Sequence, residues 1–149
     1  MTRLSALFSD PIGFFTGLLI SLPAILIALT VHEVCHGLVA LWCGDGTARS
    51  MGRLSLNPFK HLDPIGFVML LLLGFGFAKP VQVDPRNLKN PRRDMAFVSA
   101  AGPLSNLVLG FVFSLLYFLV ASNLPYGAYF STAAFSDRFL YILVQFLQT

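Results

Sequence analysis

Two of the chain's three histidines and its only glutamate lie within five consecutive residues, H-E-V-C-H at positions 32–36. Residues four apart on a helix lie on one face, about one turn from each other, so both imidazoles can reach a single metal ion. The glutamate between them is close enough to hold a water molecule beside that ion. This H-E-x-x-H spacing is typical of zinc metalloproteases. It predicts Zn²⁺ as the cofactor, His32 and His36 as metal ligands, and Glu33 as the catalytic residue.

The alternative for these residues is a pair of buried, hydrogen-bonded histidines beside a glutamate that pairs with a basic residue. The surroundings of the motif argue against this alternative, because the motif lies in the second half of a long apolar run. Ionisable side chains in a membrane helix are costly and are usually functional. We therefore favour a metal site within the membrane.

The composition is that of a membrane protein. Of 149 residues, 56% are hydrophobic and 11% are charged, and the mean hydropathy is +0.74. Soluble domains carry about 25% charged residues, so this chain has too little polar surface to cover a soluble globule. Its basic residues cluster around Arg49 and around Arg92, which predicts that both segments face the cytosol. No basic face with interleaved aromatic residues accompanies them, which argues against nucleic acid as a partner.

The apolar runs predict how the chain is organised. A first helix at about 12–42 carries the motif, and a clear spanning helix follows at about 95–121. The apolar segment 65–77 is shorter than the roughly twenty residues that a spanning helix needs, so we expect it to be re-entrant or extended. A further helix starts at 139–149 and is expected to be truncated. The predicted fold is an all-α, multi-pass helical core in the cell membrane, incomplete at the C-terminus, with 1–149 forming one membrane-embedded domain.

Two details of this organisation bear on the site. Valines alternate with Gln82 between two prolines, which suggests a short extended piece, and the polar segment 86–94 is expected to be a loop at the membrane surface. On the helix at 95–121, small and polar residues recur at helical spacing and predict a face that packs closely against another helix. Those residues are Ser99, Gly102, Asn106 and Gly110. Asn106 is expected to face the first helix or a wet cavity, where polar contact between helices is at least as reasonable as a catalytic role.

Four sequence blocks occur in order: HEVCH at 32–36, LNPFKHLDPIG at 56–66, AKPV at 78–81 and AGPLSN at 101–106. Together they resemble the site-2 protease family of intramembrane zinc metalloproteases, in particular its short prokaryotic members without a PDZ domain. The resemblance covers nearly the whole chain. It implies a multi-pass core in which the two motif histidines bind Zn²⁺ and Glu33 activates water. It also implies that the substrate is a transmembrane protein or peptide, cleaved within the lipid bilayer.

The third zinc ligand is not evident in the sequence. The resemblance implies an aspartate in an N-P-x-P-x-L-D-G-like block on a later helix, and because no such block occurs we expect this ligand beyond the C-terminus. Asp63 and His61 are the candidates within the chain. Asp63 repeats the D-P-I-G-F context of Asp10, so helix capping explains it without a metal. His61 is more often a hydrogen-bonding residue, and Cys35 is expected to pack.

Two other functions compete with proteolysis. The first alternative is an inactive relative or fragment that binds a partner helix through its small-residue face, and such a module need hold no zinc. The second alternative is part of a transporter in which the histidines relay ions, although the sequence has no paired repeats of broken helices.

Overall fold

The computed structural model describes residues 8–73 and 76–121, and this part of the chain is helical. Its helices are α1 (Pro11–Trp42), α2 (Thr47–Ser50), α3 (Pro64–Leu73) and α4 (Pro91–Ala121), with 3₁₀ turns at Pro58–Lys60 and Pro85–Asn87. Within the described residues no strand forms, and the only β-pairing is an isolated antiparallel bridge between Leu62 and Ala78. The prediction of an all-α fold is confirmed.

Helix α1 begins and ends at residues suited to those positions. The Asp10 carboxylate accepts a hydrogen bond from the Gly13 N–H at 3.0 Å, and Pro11 occupies the first turn, where its missing N–H costs nothing. The helix ends before Gly44, whose φ of 113° is open to glycine and strained for other residues. Its 32 residues correspond to roughly 48 Å of helix, longer than the roughly 30 Å hydrocarbon core of a bilayer.

Helix α4 begins four residues earlier than the predicted position 95. The segment 86–94 is therefore not all loop, because its last four residues form the first helical turn. The Asp94 carboxylate accepts from the Asn90 N–H at 2.8 Å, and the Asn90 carbonyl accepts from the Asp94 N–H at 2.8 Å. The bond from the Asn90 N–H to the Asp94 side chain and the favourable interaction of an acidic residue with the helix N-terminus explain the earlier start.

Helices α1 and α4 pack together in antiparallel orientation. His36 contacts the backbone of Val98, and His32, one turn earlier on α1, contacts Asn106 further along α4. On α4, Gly102, Asn106 and Gly110 are buried, as the small-residue pattern predicts. Ser99, predicted on the same face, is exposed instead, and Val98 takes the buried position.

Helix α3 is followed by a segment that returns to the helix's own start. Ala78 pairs with Leu62, and the Lys79 N–H donates to the His61 carbonyl at 2.8 Å. Close packing at Gly66 permits this return, since a Cβ there would lie 2.1 Å from the Phe77 carbonyl oxygen. The chain therefore enters and leaves this apolar segment at the same end, as a re-entrant segment requires.

Among the described residues, two helices are long and apolar enough to cross a membrane: α1 and the stretch Pro91–Leu119 of α4. Their outward faces carry large apolar side chains, among them Phe111, which is 71% exposed, and Leu19, which is 68% exposed. Such surfaces suit acyl chains better than water. The predicted loop at 122–138 and the predicted helix start at 139–149 lie outside the described residues.

Candidate active site

The imidazole rings of His32 and His36 meet on one face of α1. Their centroids are 4.6 Å apart and their planes are almost perpendicular, at 83°. Both side chains are half-buried where α1 faces α4. The four-residue spacing therefore brings the two imidazole rings together, as the sequence predicts.

The hydrogen bond of His36 fixes which of its nitrogens is available. Its Nδ1 lies 2.6 Å from the carbonyl oxygen of Val98. Since a carbonyl can only accept, Nδ1 carries the proton and donates, and Nε2 keeps a free lone pair. Metal-binding histidines generally have this arrangement, with the second ring N–H held by a backbone carbonyl or carboxylate.

His32 is oriented by Asn106, which is completely buried. The Asn106 Nδ2 donates to the His32 Nδ1 at 3.0 Å, and the buried Asn106 Oδ1 has no hydrogen-bond partner among the described residues. Turning this amide over would place Oδ1 opposite Nδ1, which would then donate, so that Nε2 would carry the lone pair that a metal needs. The amide orientation of Asn106 thus selects the tautomer of His32.

Gly102 of α4 lies against both ligand nitrogens. A Cβ at this position would lie 2.4 Å from His36 Nε2 and 2.5 Å from His32 Nε2. Both Nε2 atoms thus approach one small region, as two ligands of a single metal ion must. The two histidines fit Zn²⁺ as a pair of ligands, and the fit requires a residue without a side chain at position 102.

Glu33 is buried beside the histidines and its carboxylate is held by backbone. Its exposed fraction is 8%, and its Oε2 accepts from the Val81 N–H at 2.9 Å. Val81 belongs to the non-helical stretch that follows α3, so this stretch crosses α1 at the glutamate. One carboxylate oxygen is therefore fixed, and Oε1 is the oxygen left to exchange a proton.

A cluster of polar residues, Asp45, Thr47, Asp84 and Asn87, ties that stretch to the end of α1. The buried Asp45 accepts from the Asp84 N–H at 2.8 Å, from Asn87 Nδ2 at 3.0 Å and from the Thr47 N–H at 3.0 Å. Burial acts to raise the pKa of Asp45, but the hydrogen bonds from Thr47, Asn87 and Asp84 outweigh it and hold that pKa below its usual value.

Sequence reasoning missed Asp45 and the two backbone contacts of the site. The only local signal for Asp45 is its position in a G-D-G-T turn, which indicates a bond to Thr47 and nothing about residues some forty positions later. The Val81 N–H and the Val98 carbonyl leave no trace in the sequence, because every residue but proline has both groups.

The other predicted candidates lie elsewhere. Asp63 caps α3, where its Oδ1 accepts from the N–H groups of Ile65 and Gly66 at 3.0 and 2.9 Å. His61 is buried and contacts the Ser55 carbonyl through Nε2 at 2.8 Å. Cys35 is a half-buried free thiol, and so is Cys43. No group of three or more metal-ligating side chains forms within residues 8–73 and 76–121, so the candidate ligands that the described residues bring together are His32 and His36.

Comparison with known proteins agrees with this chemistry. The family model "Peptidase family M50" matches residues 20–149. The "Putative zinc metalloprotease YwhC" of Bacillus subtilis is 43% identical over 136 residues, which are 91% of this chain and 60% of that protein. Rip2 of Mycolicibacterium smegmatis, which carries the same description, is 30% identical over 104 residues, or 66% of this chain and 40% of that protein. No solved structure gives a significant match.

Proposed function

This chain belongs to peptidase family M50, the site-2 proteases, and we propose that it forms the catalytic core of a zinc metalloprotease that hydrolyses peptide bonds within the bilayer of the cell membrane. The chain spans 60% and 40% of the lengths of the two curated relatives. The activity proposed is therefore that of the whole protein. Residues 1–149 are proposed to be one membrane-embedded, multi-pass unit of it.

One observation carries this proposal: the Nε2 atoms of His32 and His36 converge at Gly102, next to the buried Glu33, on a helix that is long and apolar enough to cross a membrane. His32 is ten residues from the end of α1, which corresponds to roughly 15 Å along the helix axis. At that depth the site is surrounded by hydrocarbon on the lipid-facing side. The bond that is cleaved is therefore proposed to belong to a membrane-spanning segment.

The proposed mechanism assigns a separate role to each group of the site. His32 and His36 would hold Zn²⁺ through Nε2, with a third ligand from outside the described residues. When bound, the ion supplies a Lewis acid for the scissile carbonyl and acidifies a water molecule. Glu33 takes a proton from that water at Oε1 and passes it to the leaving amide nitrogen. The Val81 N–H keeps the glutamate oriented toward the histidines during both transfers.

A transmembrane substrate must unwind before cleavage, because helical amides are hydrogen-bonded and covered by side chains. The non-helical stretch at 79–84 is where we propose that the unwound chain pairs by strand addition. Glu33 occupies the Val81 N–H, so the opposite edge, which carries the amide of Gln82, is the one left for pairing. On that edge Pro80 has no N–H and the Asp84 N–H donates to Asp45, so Gln82 supplies the N–H that remains for a substrate.

Replacing Glu33 with Gln in the full-length protein tests the mechanism. Cleavage of a tagged single-span peptide in proteoliposomes should fall by about 10²- to 10⁴-fold, the usual contribution of a general base. Zinc content, measured by mass spectrometry of the purified protein, should stay at the wild-type level. Asp63→Asn is the matched control, because it makes the same carboxylate-to-amide change at a helix cap, and it should leave cleavage unchanged.

The same experiment separates this mechanism from the competing functions. Undiminished cleavage by Glu33→Gln would refute the role of the glutamate. A wild-type protein that purifies without zinc would refute the metal site and would favour the helix-binding module.

A further inference from the structure

A cavity lies away from the histidines, beside the connection between α2 and α3, which we assign to the membrane surface. It has a volume of about 330 Å³. Three basic residues line it, Arg53, Lys60 and Lys79, together with apolar residues that include Met51 and Phe59. No aspartate or glutamate belongs to its lining. The cavity therefore concentrates positive charge in a space large enough for a small ligand.

Among residues 8–73 and 76–121, no carboxylate forms an ion pair with these three cations. The ion pairs there are Arg86 with Asp84 and Arg93 with Asp94, and neither includes a residue of this cavity. Backbone carbonyls hold two of the cations instead. Arg53 Nη1 donates to the Lys60 carbonyl, and Lys60 Nζ donates to the Gly52 carbonyl at 3.3 Å. Since Arg has five N–H donors and Lys has three, most of their donors remain for a ligand.

The location of the cavity indicates what kind of anion reaches it. Its lining comes from the connection between α2 and α3 and from Lys79, which the Leu62–Ala78 bridge holds beside that connection. Phe59 is 77% exposed next to the cations, and Met51 is 47% exposed. Trp42, which is 72% exposed, ends α1 on the same side of the molecule, as tryptophan often does at a membrane interface.

We propose that this cavity binds the phosphodiester headgroup of an anionic phospholipid. The guanidinium and the two ammonium groups would hold the phosphate, and the exposed apolar side chains would lie among the acyl chains. A basic pocket beside membrane helices is a known kind of site for such headgroups. This inference does not depend on the peptidase activity, because it uses none of the residues of the zinc site.

Native mass spectrometry of the full chain in a neutral detergent tests the proposal, with phosphatidylglycerol, phosphatidylcholine and inorganic phosphate as probes. The wild type should retain phosphatidylglycerol in preference to phosphatidylcholine. Each basic residue at an anionic surface contributes about fivefold in affinity, so the triple variant R53Q/K60Q/K79Q should bind phosphatidylglycerol on the order of a hundredfold more weakly. The single variant Lys79→Gln should bind phosphatidylglycerol about fivefold more weakly. It keeps the test available if the triple variant does not fold.

A matched variant controls for overall charge. Three other basic residues are exposed but do not line the cavity: Arg49 in α2, Lys89 before α4 and Arg92 in α4. The variant R49Q/K89Q/R92Q therefore removes an equal number of positive charges. It should retain phosphatidylglycerol to within a few-fold. Equal losses in the two triple variants would overturn the site, because they would indicate diffuse attraction. Displacement of the lipid by inorganic phosphate at equal concentration would also overturn it and assign the cavity to free phosphate.

Discussion

At the scale of single residues, the chemistry of this protein depends on groups that the H-E-x-x-H motif does not include. The motif predicts which side chains are ligand and base, and the rings of His32 and His36 do lie together. It does not predict which ring nitrogen carries the proton. The Val98 carbonyl and the Asn106 amide determine that, and they come from a helix more than sixty residues later.

Gly102 gives the first prediction at this scale. In Gly102→Ala the new Cβ would lie within 2.5 Å of both Nε2 atoms, so the rings must separate. We expect zinc content to fall by at least about tenfold, and hydrolysis to fall with it. Gly46→Ala is the control, since a Cβ there meets nothing within 4 Å. Full zinc occupancy in Gly102→Ala would contradict the proposed position of the metal.

Asn106 gives the second prediction. Asn106→Leu removes the hydrogen bond that selects the tautomer of His32, and zinc affinity should fall by about 10- to 100-fold, as it does when comparable partners of metal ligands are lost. Asn106→Asp keeps an acceptor for the His32 Nδ1 proton and should stay near the wild-type affinity. Competition with a chromophoric chelator measures both. Equal losses in the two variants would mean that Asn106 contributes only packing.

At the scale of elements, the stretch between α3 and α4 is where sequence reasoning was weakest. The long helices are evident from hydropathy, because an apolar run of that length has few other stable forms in a membrane. The Asp94–Asn90 cap moves the start of α4 to Pro91, and the Asp45 cluster fixes the course of the stretch that reaches Glu33. Both effects depend on contacts between particular side chains and backbone, which hydropathy does not record.

Asp45 should therefore be important for stability although it is remote from the metal. Asp45→Ala removes the buried carboxylate that accepts from Asp84, Thr47 and Asn87, and the free energy of unfolding should fall by about 3 kcal/mol. Asp10→Ala removes an exposed cap and should cost about 1 kcal/mol. Thermal unfolding in detergent, followed by circular dichroism, measures both. A cost for Asp45→Ala no larger than that of Asp10→Ala would contradict this role.

The lowered pKa of Asp45 predicts how this contribution changes with pH. Because the folded state favours the ionised carboxylate, the stabilisation is fully present above the unfolded pKa of about 3.9. It is lost as the pH falls through the lower, folded pKa. The advantage of the wild type over Asp45→Asn in melting temperature should thus be constant from pH 7 down to about 5 and should shrink below about 4. An advantage that grows on acidification would contradict the assignment.

At the scale of the whole molecule, we predict that the polar segments between α1 and α4 lie on one side of the membrane. Antiparallel packing of the long helices and the return of the chain after α3 both favour this arrangement, and the basic clusters around Arg49 and Arg92 predict that the side is cytosolic. Single cysteines introduced at positions 49 and 92 into a variant lacking Cys35 and Cys43 should react with an impermeant maleimide from the cytosolic face only. A cysteine at position 10 should react from the opposite face. Labelling of positions 49 and 92 from different faces would exclude this topology.

The dependence of the metal site on both long helices also has a consequence for biogenesis. The partners that orient His36 and His32 lie 62 and 74 residues further along the chain. While a ribosome is still translating the intervening segments, neither Val98 nor Asn106 is available to orient the rings on α1. We therefore predict that metallation of the proposed site is a late step of maturation, and that the proposed proteolysis begins only after the second long helix has been inserted.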